Sequence, residues 1–109
     1  MNTCEYKKMT RQLDLQNYTK TGMRPEVNYV LGITGEAGEI AEIFKKVWFK
    51  GQKDKLDELK DEIGDLLWYV VRLADSQGWT LEEIMADNIY KLLKRNGGAI
   101  NLKRVAEER

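Results

Sequence analysis

Apolar side chains recur at intervals of three and four along almost the whole 109-residue chain, and Pro25 is its only proline. That spacing gathers side chains on one face of an α-helix. The period-two alternation of a half-buried strand is missing, so the chain reads as all-α, a bundle-like arrangement of four main helices. The first is expected over about residues 4 to 20, with a sparse apolar set of Tyr6, Met9, Leu13 and Tyr18, ending before Thr21-Gly22. The second opens near Pro25, whose fixed φ suits a first helical turn. It runs to about Phe49 and stops at Gly51, a residue type suited to the left-handed position after a helix. Its inner stripe is predicted to be Val30, Ile33, Ala37, Ile40, Ala41, Phe44, Val47 and Trp48.

The third helix is expected from about Asp54 to Gln77, with Leu59, Ile63, Leu66, Leu67, Val70 and Ala74 facing inward and Gly78 ending it. The fourth opens with Thr80-Leu81-Glu82-Glu83, a capping-box pattern. It continues to about Arg95, before Gly97-Gly98. Residues 99–109 read as a charged tail on a single domain spanning 1–109. At about 100° per residue, Trp68 falls on the opposite side of the third helix from Ile63 and Val70, and Val71 widens that arc. A helix apolar on two sides is predicted to be covered twice, once by its own chain and once by a second copy.

Composition narrows the chemistry. Eighteen basic and eighteen acidic residues cancel, so no global field draws the chain to nucleic acid or anionic lipid. Histidine is absent, which excludes a Ser-His-Asp triad, a histidine base and a Cys/His zinc site. Cys4 is the single cysteine, so no intrachain disulfide can form. With neither a secretory pattern nor a long apolar run, a cytoplasmic protein without membrane or nucleic-acid partners is expected.

The informative residues are two acidic pairs, Glu36-Ala37-Gly38-Glu39 on the second helix and Glu62-Ile63-Gly64-Asp65 on the third. Residues three apart on a helix are neighbours, so each pair sets two like charges side by side. On the predicted helical wheels, the first carboxylate of each pair lies roughly 80° from the centre of the apolar stripe and the second about 60° further out. Helices packed antiparallel through a short connection would bring all four to one edge of the core. Such a cluster calls for a cation, and all-oxygen ligation favours Mg2+, with Mn2+ as a substitute. Gly38 and Gly64 sit inside the pairs, each costing about 1 kcal/mol against alanine, and leave room for an ion and a ligand.

The stretch from Gly35 to Glu42, followed by Asp61-Glu62-Ile63-Gly64-Asp65-Leu66-Leu67-Trp68-Tyr69, resembles the MazG-like nucleotide pyrophosphohydrolases, marked by Glu-x-x-Glu and then Glu-x-x-Asp. The similarity continues through Trp79 to Ile84 and Asn88 to Leu92. It implies the all-α MazG fold, completed as a homodimer or homotetramer, and hydrolysis of a nucleoside triphosphate between the α- and β-phosphates. Carried over by position, Glu36, Glu39, Glu62 and Asp65 would hold magnesium, and Asn88 and Lys91 would contact the nucleotide. A carboxylate not fully engaged by the metal, Glu39 or Glu42, would take the proton of the attacking water.

Further phosphate charge is expected to meet Lys46, Lys50 and Lys53 near the turn between the second and third helices, and Lys91, Lys94 and Arg95 on the fourth helix. Trp48 is a candidate platform for the base. The sequence departs from the family pattern after Arg95, where Asn96-Gly97-Gly98 replaces the usual arginine, tyrosine and proline. Two alternatives stay open: an enzyme of the same fold specific for dUTP, dCTP or a phosphoribosyl nucleotide, and a non-catalytic helical interaction module.

Overall fold

The computed structural model describes residues 1–97. Among these there is no strand, and the chain is all-α as expected. The helices are α1 (Thr3–Leu13), α2 (Tyr18–Thr21), α3 (Pro25–Lys50), α4 (Leu59–Ser76) and α5 (Leu81–Arg95), with a 3-10 segment, Lys53–Glu58, leading into α4. None is long and apolar enough to cross a membrane. Residues 1–79 form one compact unit and Thr80 opens a second. The expected tail at 99–109 lies outside the described residues.

Local signals account for most boundaries. Pro25 opens α3, and Gly51, with φ of 68°, closes it by donating its backbone N–H to the Lys46 carbonyl. Gly78, with φ of 78°, follows α4, and Gly97, with φ of 73°, follows α5. Thr80 caps α5, its side chain accepting from the Glu83 backbone N–H at 3.1 Å. The third expected helix opens as the 3-10 segment before becoming α-helical at Leu59.

The first expected helix is broken. Asp14 has extended backbone, φ −82° and ψ 91°, and ends α1. Asn17 then caps the short α2, its side chain accepting from the Lys20 backbone N–H at 2.9 Å. The break is stabilised by what the Asp14 carboxylate receives: the Tyr18 hydroxyl at 2.9 Å and the Tyr29 hydroxyl. These partners come from α2 and α3, so the local apolar pattern could not reveal the break.

Helices α3 and α4 run antiparallel, and three pairings fix their register. The Arg72 guanidinium lies 5.5 Å from the centre of the Tyr29 ring. One turn on, the Tyr69 ring rests on the α3 backbone at Gly32, where any side chain would overlap it. A further turn on, Glu36 faces Glu62 and Asp65. Each step forward on α3 is thus matched by a step back on α4.

The same end of α4 holds α1. Arg11 makes a two-pronged ion pair with Asp75, both contacts at 2.6 Å. Arg72 donates to Asp75 at 2.7 Å and to the buried Thr10 hydroxyl at 3.4 Å. Its Nε stands 3.6 Å from Asp14. The two arginines hold the Asp75 carboxyl well below the usual carboxylate range, Arg11 foremost. Sequence periodicity gave no hint of this network, because its members lie on different helices.

The inner faces also differ from expectation. On α3 the buried residues are Tyr29, Ile43 and Val47, with Glu36 and Ile40 partly covered between them. Ile33, Ile40 and Val47 belong to both this stripe and the predicted one, but its centre is rotated by roughly 70° from the predicted centre. Val30, Ala37, Ala41, Phe44 and Trp48 are therefore exposed. On α4 the expected stripe is covered at Ala74, which is buried, and in part at Leu59, Leu66 and Val70, while Ile63 and Leu67 are exposed and the opposite side also contributes, with Val71 only 1% exposed and Trp68 half-buried. The docking of α1 beside Arg72 and Asp75 decides which side of α4 its own chain covers.

Candidate metal centre

The acidic centre follows from the α3–α4 register. Glu36 stands on the covered face of α3, not 80° away from it, because the true stripe runs through Tyr29, Ile40, Ile43 and Val47. Glu62 and Asp65 lie three residues apart on α4 and meet it from the opposite helix. One carboxylate oxygen from each of Glu36, Glu62 and Asp65 lies within 4.8 Å of the other two. Glu39, the fourth expected ligand, is exposed on α3 outside this trio. Glu42 is exposed one turn beyond it.

The electrostatics of the trio are unfavourable without a cation. The Glu36 carboxyl is pushed up to about 7, first by the hydrogen bond it shares with the Glu62 carboxyl, then by burial, then by the charges of Glu62, Asp65 and Glu39. That shared bond needs a proton on one of the two groups. The other oxygen, the buried Glu36 Oε2, has no hydrogen-bond partner. A carboxylate oxygen placed out of water without a partner is costly, and a hard divalent cation satisfies it while cancelling the like charges. The donor set is entirely carboxylate oxygen, which suits magnesium or manganese.

An open cleft of about 390 Å³ adjoins the trio, lined by Glu36, Asp65, Trp68 and Tyr69. Trp68 and Tyr69 meet edge to face with ring centres 5.1 Å apart. Neither was singled out as a site residue from the sequence, although the helix-interior Gly32, where Tyr69 packs, was a usable signal. Gly38 and Gly64 border open space, with nothing that an added side chain would meet within 4 Å.

The other expected site residues of the first unit do not line the cleft beside the trio. Trp48 is 71% exposed and is not part of the cleft wall. Lys46 is partly covered near the end of α3, and Lys50 and Lys53 are exposed at the turn that follows. Asn88, Lys91, Lys94 and Arg95 are exposed on α5 in the second unit, where the Lys94 ammonium sits 5.2 Å from the centre of the Tyr90 ring.

Residues 24–99 match the family model of the MazG nucleotide pyrophosphohydrolase domain, well over half of the chain. The chain belongs to the MazG nucleotide pyrophosphohydrolase family. Within the MazG domain so defined lie α3, α4, α5 and all three clustered carboxylates, whereas α1 and α2 precede it. The "Gene 37 protein" of Mycobacterium phage L5 is 36% identical over 74 residues, covering 63% of this chain and 65% of the phage protein. No solved structure matches the chain.

Proposed function

We propose that this MazG chain is a magnesium-dependent nucleoside triphosphate pyrophosphohydrolase that cleaves between the α- and β-phosphates, releasing a nucleoside monophosphate and pyrophosphate. The observation that carries the reading is the convergence of Glu36, Glu62 and Asp65 beside an open cleft, with a buried oxygen of Glu36 lacking any donor. A purely structural acidic edge would keep its carboxylates solvated and apart.

Glu36, Glu62 and Asp65 would hold the ion, and Glu39, one turn along α3 from Glu36, would complete the set. Magnesium bound there would offset the negative charge of the phosphate chain and polarise the phosphoryl oxygens. A water oxygen then attacks phosphorus, the bridging bond between the α- and β-phosphates breaks, and Glu39 or Glu42 accepts the water's proton. Trp68 and Tyr69 offer an apolar, aromatic wall to the sugar or base, which also fits an enzyme specific for one nucleotide. Asn88, Lys91, Lys94 and Arg95 are assigned to the nucleotide by family resemblance alone. The whole chain, 1–109, is taken as a single domain that acts as a homodimer or homotetramer.

The deciding experiment is a panel of ribo- and deoxyribonucleoside triphosphates with magnesium, scoring pyrophosphate separately from orthophosphate, beside Glu62→Gln. Release of pyrophosphate that needs magnesium and vanishes in the variant supports the reading, and the panel ranks the bases. A folded protein silent across the panel, with no saturable manganese binding, would instead fit the helical interaction module.

A further inference from the structure

Four glycines stand inside α3 and α4, and only one of them is filled from across the helix pair. A side chain at Gly35, Gly38 or Gly64 would meet open space, whereas one at Gly32 would collide with Cδ1, Cε1 and Cζ of Tyr69. One edge of the Tyr69 ring therefore lies flush against the α3 backbone. The same ring lines the cleft with Glu36 and Asp65, and Trp68 meets it edge to face. Gly32 is one turn from Glu36 on α3, and Tyr69 is one turn from Asp65 on α4, so the contact borders the clustered carboxylates. The spacing of the helices is set on both sides of it. On one side the Arg72 guanidinium, held by Asp75, lies over the Tyr29 ring. On the other, Glu36 faces Glu62 and Asp65. A methyl group added at position 32 would accordingly move the ring and not the helices. With α3 behind the ring and Trp68 at its side, the open direction is the cleft.

We propose that Gly32 is a positioning residue for the nucleoside: by leaving a seat for Tyr69 in the α3 backbone, it sets the width of the acidic cleft at its aromatic wall. The inference rests on the nucleotide reading above and adds to it a residue that touches neither metal nor substrate. A cation on Glu36, Glu62 and Asp65 fixes where the phosphate chain lies, so the sugar and base extend from there along Trp68 and Tyr69. Packing on an aromatic ring depends on close contact with its face. A ring pushed off its seat occupies the space that the nucleoside would take. The seat also accounts for a glycine in mid-helix, which costs about 1 kcal/mol against alanine.

The test is calorimetric binding, in magnesium, of two probes to the full chain, Gly32→Ala, Tyr69→Val and the double variant. One probe is a nucleoside triphosphate analogue with a non-hydrolysable link between its α- and β-phosphates. The other is inorganic pyrophosphate, which carries phosphate charge without sugar or base. Gly32→Ala should bind the analogue about tenfold more weakly, with pyrophosphate and manganese affinity unchanged. A merely weakened fold would lower both probes together. Valine lacks the ring atoms that meet position 32, so in its presence the added methyl has room. The double variant should therefore bind the analogue as Tyr69→Val does, the mark of two residues acting through one contact. Equal analogue affinity in the full chain and Gly32→Ala would overturn the inference. So would a parallel loss of analogue and pyrophosphate in Gly32→Ala, or a further loss in the double variant beyond Tyr69→Val. Absence of analogue binding by the unaltered chain, with manganese still bound, would instead sink the nucleotide reading on which it rests.

Discussion

At the scale of single residues, Glu36 concentrates the conflict between fold and charge. Its carboxyl, held near 7 by the Glu62 carboxyl, burial and nearby charges, is raised above its ordinary value of 4.5. A carboxyl raised on folding stabilises the folded chain while protonated, so the contribution is fully present below about 4.5 and is lost as pH rises through about 7. Without metal, the urea midpoint should therefore fall between pH 5 and pH 8. Added manganese should reverse the fall at the upper end, since it binds the ionised form and binding to the folded state stabilises it. A midpoint flat across this range in Glu36→Gln would confirm the source. Gly32 gives a second test at the same scale. Alanine there overlaps the Tyr69 ring, so Gly32→Ala should destabilise by about 1–3 kcal/mol in spite of its better helix propensity. Gly64→Ala meets open space and should stabilise the free chain by up to about 1 kcal/mol. Urea denaturation of the two variants separates these outcomes by sign.

At the scale of elements, the parts decided locally were readable and the parts decided across helices were not. Pro25, Gly51, Gly78 and Thr80 are punctuation whose effect depends on one or two neighbours, and the helices begin and end where they indicate. The pairing of Glu36 with Glu62 and Asp65 was readable too, because antiparallel packing of two helices joined by a short connection leaves few registers. The inner stripe of α3 was centred too far round, catching Ile33, Ile40 and Val47 but missing Tyr29 and Ile43, because Val30, Phe44 and Trp48 carry as strong an apolar signal. Only Tyr29 on Arg72 and Tyr69 on Gly32, contacts between distant parts of the chain, choose between the two faces. The break at Asp14 is invisible for the same reason. Asp75 tests how much this cross-helix network contributes. Its depressed carboxyl stabilises the fold above its unfolded value, ordinarily near 3.8, and that contribution is lost as pH falls through this value and below. Asp75→Asn should cost about 3 kcal/mol near neutral pH, since it leaves the buried Arg72 charge only the longer pair with Asp14. Its urea midpoint should also vary less than that of the unaltered chain between pH 5 and pH 3.

At the scale of the whole molecule, two apolar surfaces have no cover from the described residues. The first is the outer face of α3, where Val30 is 49%, Phe44 40% and Trp48 71% exposed, with Ala37 and Ala41 between them. The second is α5, a helix of 15 residues none of which is buried, with Ile84, Met85, Ile89 and Leu92 all exposed. Residues 85, 89 and 92 are spaced by three and four, the pattern of a helix made to pack. Contiguous apolar patches of this kind are rare on monomers. A closed homo-oligomer covers each patch with its own copy at no cost in new sequence, because a two-fold axis makes one surface serve both partners. Sedimentation equilibrium of the purified chain should accordingly give a mass two or four times that of one chain. Phe44→Glu and Ile89→Glu, which leave the clustered carboxylates untouched, should lower that mass or weaken assembly by at least tenfold, as a buried unpaired charge at an interface demands. Each variant acts on one surface, so the pair assigns the contact. Loss of assembly in Phe44→Glu alone puts the seam on α3, and loss in Ile89→Glu alone puts it on α5. A chain that sediments as a monomer at all concentrations, with both variants indistinguishable from it, would refute the assembly and leave these two faces open.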